Sequence, residues 1–333
     1  MIRRLRSSRK SLLRNLTLGM LILLLSNCEF FINSLEQPTS ANAGDVITAK
    51  LDMNFQTEQG PYSKRIVVGV LAPRAWKLGQ NQNVKITYTS ENKGSGTLVP
   101  IPASVVAAKA KNGENWATRM KNRFGIGPNY IDDMEWVPFW TPANIETTPF
   151  ENVHAVFSVQ IKVGVDGANT SVKLGYVVCN DDDGIGDDDI KLSPVKYADC
   201  LEVKGEGDLI DFCNPSLTSL NPTKALDNDY QTISYNNVLI DTQLKGNHDL
   251  YLCATAHTSD GKSINVCAQN ETSKLMETDP NQFQITFWPR KLFNVEAGQT
   301  ITSMDYFITN KAGNIKVGYG NTDAPFTIKF ACE

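Results

Sequence analysis

From Val46 onward, apolar and polar residues alternate in short runs broken by Gly, Asn, Asp and Pro. Val46 to Met53 is the first run. Arg65 to Leu71, Val84 to Ser90, Ala155 to Val163 and Ser171 to Cys179 follow. A period of two turns one side of each run toward a core, which predicts strands. The second half continues in the same way through Gln231 to Tyr235, Asp249 to Ala256, Ser263 to Ala268, Gln282 to Trp288, Ile301 to Ile308, Ile315 to Tyr319 and Pro325 to Phe330. Many short strands with turns between them predict an all-β protein made of two immunoglobulin-like β-sandwich domains in tandem. One segment departs from this period. Between Asn115 and Phe124, Trp116, Met120 and Phe124 fall at i, i+4 and i+8, which predicts a helix ended by Gly125.

The two halves read as diverged copies. Gln37-Pro38-Thr39 is echoed by Asn221-Pro222-Thr223. Gly175-Tyr176-Val177-Val178-Cys179-Asn180 is echoed by Asp305-Tyr306-Phe307-Ile308-Thr309-Asn310. The boundary is expected near Gly205-Glu206-Gly207, giving a first domain over 45–205 and a second over 208–333. The span 72–153 of the first has only a short counterpart in the second. It is expected to be an insertion carrying the helix, and long insertions are usually functional when they are ordered.

The N-terminus has a different character. Arg3, Arg4, Arg6, Arg9, Lys10 and Arg14 precede an apolar run from Leu16 to Leu25, which is signal-peptide length and too short to span a bilayer. Leu25-Ser26-Asn27-Cys28 then resembles a bacterial lipobox, with Asn27 departing from the usual small residue. The expectation is a signal peptide over 1–27, acylation of Cys28, and a tether over 28–44. Removing the leader's 6 basic residues from 32 leaves 26 against 36 acidic ones, a net charge of −10. Such a chain lacks the basic footprint that nucleic acid requires. Beyond Cys28, six of the 7 cysteines remain for disulfides in an exported chain. The expected pairs are Cys253–Cys267, Cys179–Cys200 and Cys213–Cys332, although spacing leaves the connectivity open.

Candidate chemistry concentrates between Phe124 and Trp140. Trp136, Trp140 and Tyr130 stand beside Asn129, Asp132, Asp133 and Glu135. Indole faces stack on the C–H faces of sugar rings, while amides and carboxylates bond the hydroxyls, so this is a candidate glycan platform. The alternative is that the aromatics are core. Asp132 or Asp133 with Glu135 would also be a candidate pair for glycoside hydrolysis, but neighbours in one loop seldom flank a substrate bond. Trp288 with Arg290 is a second candidate sugar contact, the alternative being a cover over a domain seam. Asp181, Asp183, Asp187 and Asp189 lie around Gly184 and Gly186 and form a candidate calcium turn. Its copy-two counterpart, Asn310 to Asn314, is an ordinary turn. The common catalytic motifs are missing from the sequence.

Several motifs resemble a family of two-domain outer-membrane lipoproteins. They are Val68-Gly69-Val70-Leu71-Ala72-Pro73, Phe124-Gly125-Ile126-Gly127, Ile131-Asp132-Asp133-Met134-Glu135-Trp136, the run from Asp208 to Pro215, and Val317-Gly318-Tyr319-Gly320-Asn321. The resemblance covers nearly the whole mature chain. It implies a setting beside polysaccharide-uptake systems with a TonB-dependent transporter. The expected function is therefore non-catalytic capture of a polysaccharide or oligosaccharide at the outer-membrane surface. The alternative is a structural or adhesive envelope protein that contacts other proteins. The membrane is expected to be reached through the lipid alone.

Overall fold

The alternating runs pair into sheets whose apolar faces meet. A computed structural model describes residues 29–57, 61–80, 82–187, 190–296 and 298–330. Cys28, Asp189 and Cys332 lie outside them. The chain divides into two compact units, the first ending at Cys213 and the second beginning at Asn214. The expected all-β class holds, and each unit is a sandwich with its own core.

In the first unit the long strands Val46–Gln56 and Asn152–Lys162 pair antiparallel along their whole length. With Val84–Ser90 and the edge strands Glu29–Glu36 and Gly94–Thr97 they make a five-stranded sheet. Every second residue of Val46–Gln56 is buried, from Ile47 to Phe55. This sheet packs its apolar face on a second five-stranded sheet centred on Ile66–Pro73, Met134–Trp140 and Gly175–Asn180. Ile66–Pro73 and Gly175–Asn180 are buried at every residue. A strand buried throughout is covered on both faces.

The cover on the second sheet's far side includes helix α1, Trp116–Phe124. Asn115 caps its start by accepting from the Thr118 N–H, and Gly125 ends it with φ +61°. Trp116 and Met120 are buried on its apolar side. Gly69 permits the close approach: a Cβ there would lie 2.5 Å from the Met120 sulfur. The span 72–153 is therefore built into the fold. It supplies the Val84–Ser90 and Met134–Trp140 strands to the two main sheets and one layer over the second.

Three expectations need correction. The segment after Cys28 is no tether through its first half. Glu29–Glu36 pairs with Val46–Gln56, and Phe30 is buried against Phe55. The unit's last strand, Glu206–Asp211, runs parallel beside Ala168–Val172, so the first unit continues through the expected boundary to Cys213. Of the expected disulfides, Cys253–Cys267 forms, but Cys200 pairs with Cys213 rather than with Cys179. Cys179 is a free, fully buried thiol within the Gly175–Asn180 strand, and burial pushes its pKa well above the usual range. With Cys213 taken by Cys200, it cannot join Cys332.

The second unit is simpler. Thr218–Asn221, Gln231–Asn236, Gln282–Phe287 and Met276–Asp279 form one sheet, in that order. Leu250–Thr258 and Ile301–Asn310 form the centre of the other. Phe283, Ile285 and Phe287 point into the core between them, as the alternation predicts.

Candidate functional site

The Phe124 to Trp140 stretch turns inward. Trp136 pairs in register with Leu71, two residues along the strands from Gly69 and Pro138, and so shares the face that Met120 covers. It is 3% exposed. Its indole N–H donates to the Gly125 carbonyl at 2.9 Å, and its ring packs on Phe124 at 5.7 Å. The sole donor of this ring is thus occupied by the α1 terminus. Trp140, four residues along, is half-buried under the Arg65 guanidinium, 4.3 Å from its centroid. The two tryptophans share a face, but that face is packed with protein.

The polar members are committed as well. Asn129 is buried and clamps two segments: its amide donates to Ile126 and Lys173 carbonyls, and its oxygen accepts from the Lys173 N–H. Asp132 pairs with Lys121 at 2.6 Å. Arg74 reaches Asp133 at 3.3 Å and Glu135 at 3.9 Å. Burial raises the Glu135 pKa above the usual carboxylate value. The two carboxylates share one guanidinium on one side of the fold, which is not the opposed arrangement of a glycosidase pair. Asp132 and Asp133 keep their side chains largely in solvent, and Tyr130 is the one well-exposed aromatic of this stretch. Its N–H donates to the Phe212 carbonyl, which brings it beside the Glu206–Asp211 strand.

Hydrogen bonds and ion pairs from protein groups engage the described carboxylates of the acidic turn. Asp181 accepts the Arg65 backbone N–H at 2.9 Å, and Asp182 pairs with Lys64. Asp183 accepts from Asn180 at 2.6 Å. Asp187 pairs with Arg119 and Lys111, whose hydrogen bonds hold its pKa below the usual range. Arg119 is buried on α1 and also donates to the Ile185 carbonyl at 2.7 Å. This arginine was hidden in the sequence, because nothing in its spacing ties it to a loop more than sixty residues away. No cluster of three metal-type ligands occurs among the described residues.

Trp288 differs from Trp136 and Trp140 by facing outward. It follows the Gln282–Phe287 strand, and Tyr230 precedes Gln231–Asn236. Gln231 pairs with Phe287, so Tyr230 and Trp288 stand at the next outward rung of the same two strands. Their rings lie 6.5 Å apart, with Tyr230 69% and Trp288 37% exposed. Sequence reading passed over Tyr230, although its place before a buried Gln231 marks it as outward. Arg290 is not part of this surface. It lies on the short helix α2, Pro289–Leu292, and donates to Asp227 at 2.8 Å and to the Gln299 carbonyl at 2.7 Å. Asp227 also accepts the Ile301 N–H, so the pair is an internal brace.

A cleft of about 910 Å³ lies in the first unit. It is lined by Lys77, Lys85 and Lys162 with amides including Asn83 and Gln160, and it contains none of the expected site residues.

Among known proteins, three solved structures illustrate the similarities found. One, titled as catalysing macrocyclization in alchivemycin A biosynthesis, is 10% identical over 55% of this chain and 91% of its own, with TM-score 0.28. The group B streptococcus pilus 2b backbone protein is 10% identical over 89% and 88%, with TM-score 0.25. The C-terminal domain of the Streptococcus agalactiae polypeptide BspA, of the AgI/II type, is 11% identical over 88% and 97%, with TM-score 0.22. TM-scores of this size carry no inference about mechanism. No curated protein matches the chain. A second domain of unknown function, DUF8578, matches residues 218–317. The domain of unknown function DUF4961 matches residues 30–216, more than half of the chain, and the protein belongs to that family.

Proposed function

We propose that the protein is a non-catalytic structural or adhesive component of the cell envelope, anchored by lipid at Cys28, that contacts other proteins. One observation supports this reading most directly. Among the described residues Glu206–Asp211 is the edge strand of its sheet, and it carries Leu209, 55% exposed, and Ile210 in solvent. Tyr130 and Ile131, also exposed, adjoin its end through the Tyr130–Phe212 hydrogen bond. An unpaired edge with apolar side chains is a surface on which another chain adds a strand. The non-catalytic part of the reading is supported by the engagement of Asp132, Asp133 and Glu135 with Lys121 and Arg74.

The glycan-uptake expectation loses the Phe124 to Trp140 stretch as its platform and keeps Trp288. The test of the protein-contact reading is a photo-crosslinking residue placed at Leu209, with a control at Ser158 on the opposite sheet, in protein displayed on whole cells. A discrete adduct at position 209, competed by excess unlabelled protein and missing at 158, is expected. Equal labelling at both positions, or no adduct at 209, would contradict it.

A further inference from the structure

The outward face of the second unit's first sheet has an unusual composition. Thr218–Asn221, Gln231–Asn236 and Gln282–Phe287 lie side by side and contain no charged residue. Register places their outward side chains in rungs. Thr232 stands opposite Thr286, Ser234 opposite Gln284, and Asn236 opposite Gln282, while Tyr230 and Trp288 lie just beyond the Gln231–Phe287 pair with their rings 6.5 Å apart. Ser219 extends the Ser234 rung onto the third strand. Across these three strands one end is therefore an aromatic pair and the rest is hydroxyl and amide, and on the fourth strand Met276, 66% exposed, stands opposite Gln284. The sheet's fourth strand, Met276–Asp279, brings the charges that lie nearest by register: Glu277 stands opposite Phe283 and Asp279 opposite Gln282, both at the end away from the aromatic pair.

Two further facts set this face apart. A groove of about 250 Å³ lies at the end away from the aromatic pair, lined by Ser219, Ser234, Asn236, Thr278, Gln282 and Gln284. The rungs also hold one another in place: Thr232 and Thr286 hydroxyls are 2.8 Å apart, and the Gln284 amide donates to Ser234 at 3.2 Å. Such pairs fix side-chain positions yet leave the Gln284 carbonyl oxygen and its second N–H for another molecule. At about 3.4 Å per residue, the face from Tyr230 to Asn236 is about 20 Å long, the length of a short oligosaccharide.

We propose that this face binds a neutral glycan. A sugar ring stacks on Trp288 and Tyr230, and the following rings place their hydroxyls against Ser234, Gln284 and Gln282. The chemistry selects the ligand. Stacked C–H faces need an exposed aromatic, and hydroxyls need partners that both donate and accept, as amides and hydroxyls do. The uncharged strands complement a neutral ligand and offer no counter-ion to uronate, sulfate or phosphate groups. This site goes beyond protein contact at the Glu206–Asp211 edge, and it gives the adhesive reading a ligand class in a different unit.

The test uses the mature full-length chain on an array of neutral and anionic glycans, followed by affinity electrophoresis with the best binder. Variants are Trp288→Ala, Tyr230→Ala and Gln284→Ala, each checked for folding by circular dichroism. Binding to a neutral glycan is expected, about tenfold weaker in each aromatic variant and about threefold weaker in Gln284→Ala. It should change little between low and moderate salt. No neutral glycan bound, binding only to anionic glycans, or binding unchanged in the Trp288→Ala and Tyr230→Ala proteins would overturn the proposal. So would concentration-dependent dimerisation abolished by Trp288→Ala, which would make the face a contact between copies. None of these results bears on cross-linking at Leu209, so failure here and failure of the protein-contact reading are separable.

Discussion

Two aromatic regions with similar sequence signals meet opposite fates. Trp136 and Trp140 sit on a strand beside carboxylates, and Trp288 sits at the end of a strand beside Arg290. The first pair lies on the outer face of a sheet that α1 covers, so Trp136 becomes core and Trp140 lies under Arg65. The second lies at the outward end of two strands of the second unit, where Tyr230 and Trp288 meet solvent. Alternation alone gives each residue a face. What decides burial is the next layer, which the alternation within a strand does not encode.

The comparison can be broken first at Trp136. Trp136→Ala leaves a cavity beside Phe124 and strands the Gly125 carbonyl, so it should destabilise the first unit by about 3–5 kcal/mol in chemical denaturation. Opening Cys200–Cys213 by a double substitution to Ser frees a loop closed across 13 residues. The expected loss is about 3 kcal/mol, confined to the first unit, and a scan resolving two transitions checks it. Gly69→Ala pushes a methyl against Met120 and Val177 and should cost about 1–3 kcal/mol, because it lifts α1 from the sheet. Trp288→Ala, by contrast, should change stability by less than about 0.5 kcal/mol.

A last prediction concerns pH. Asp187 has its pKa lowered in the folded state by Lys111 and Arg119. A lowered carboxylate pKa stabilises above the unfolded value and loses that stabilisation as pH falls through the folded one. Acid titration of the first unit should therefore show a limb below the ordinary carboxylate range, and Asp187→Asn should flatten it. An unchanged limb would remove the Arg119–Asp187 link between α1 and the acidic turn from the account.

Much of the fold was legible. The strands from Val46, Val84, Gln231 and Gln282 follow period-two alternation, and α1 follows its Asn115 cap, apolar spacing and Gly125 stop. Cys253–Cys267 was legible because a short hairpin joins its strands. The rest depended on contacts that spacing does not encode. Cys179 sits mid-strand with both faces covered, so its partner could not be guessed from distance along the chain. Asp187 looked like a metal ligand because Arg119, its counter-charge, is far away in sequence. Arg290 looked like a ligand contact because Asp227 lies 63 residues earlier. Trp288 was correctly read as outward, and Tyr230 needed the register of a second strand to be seen beside it.

Residue-resolved oxidation by hydroxyl radicals, read by mass spectrometry with and without the best neutral glycan, tests the central contrast most directly. Trp288 and Tyr230 should be oxidised readily in the folded protein and protected by the glycan, while Trp136 stays unmodified in both conditions. Oxidation of Trp136 in the folded chain with protection by the glycan, and an indifferent Trp288, would contradict the account.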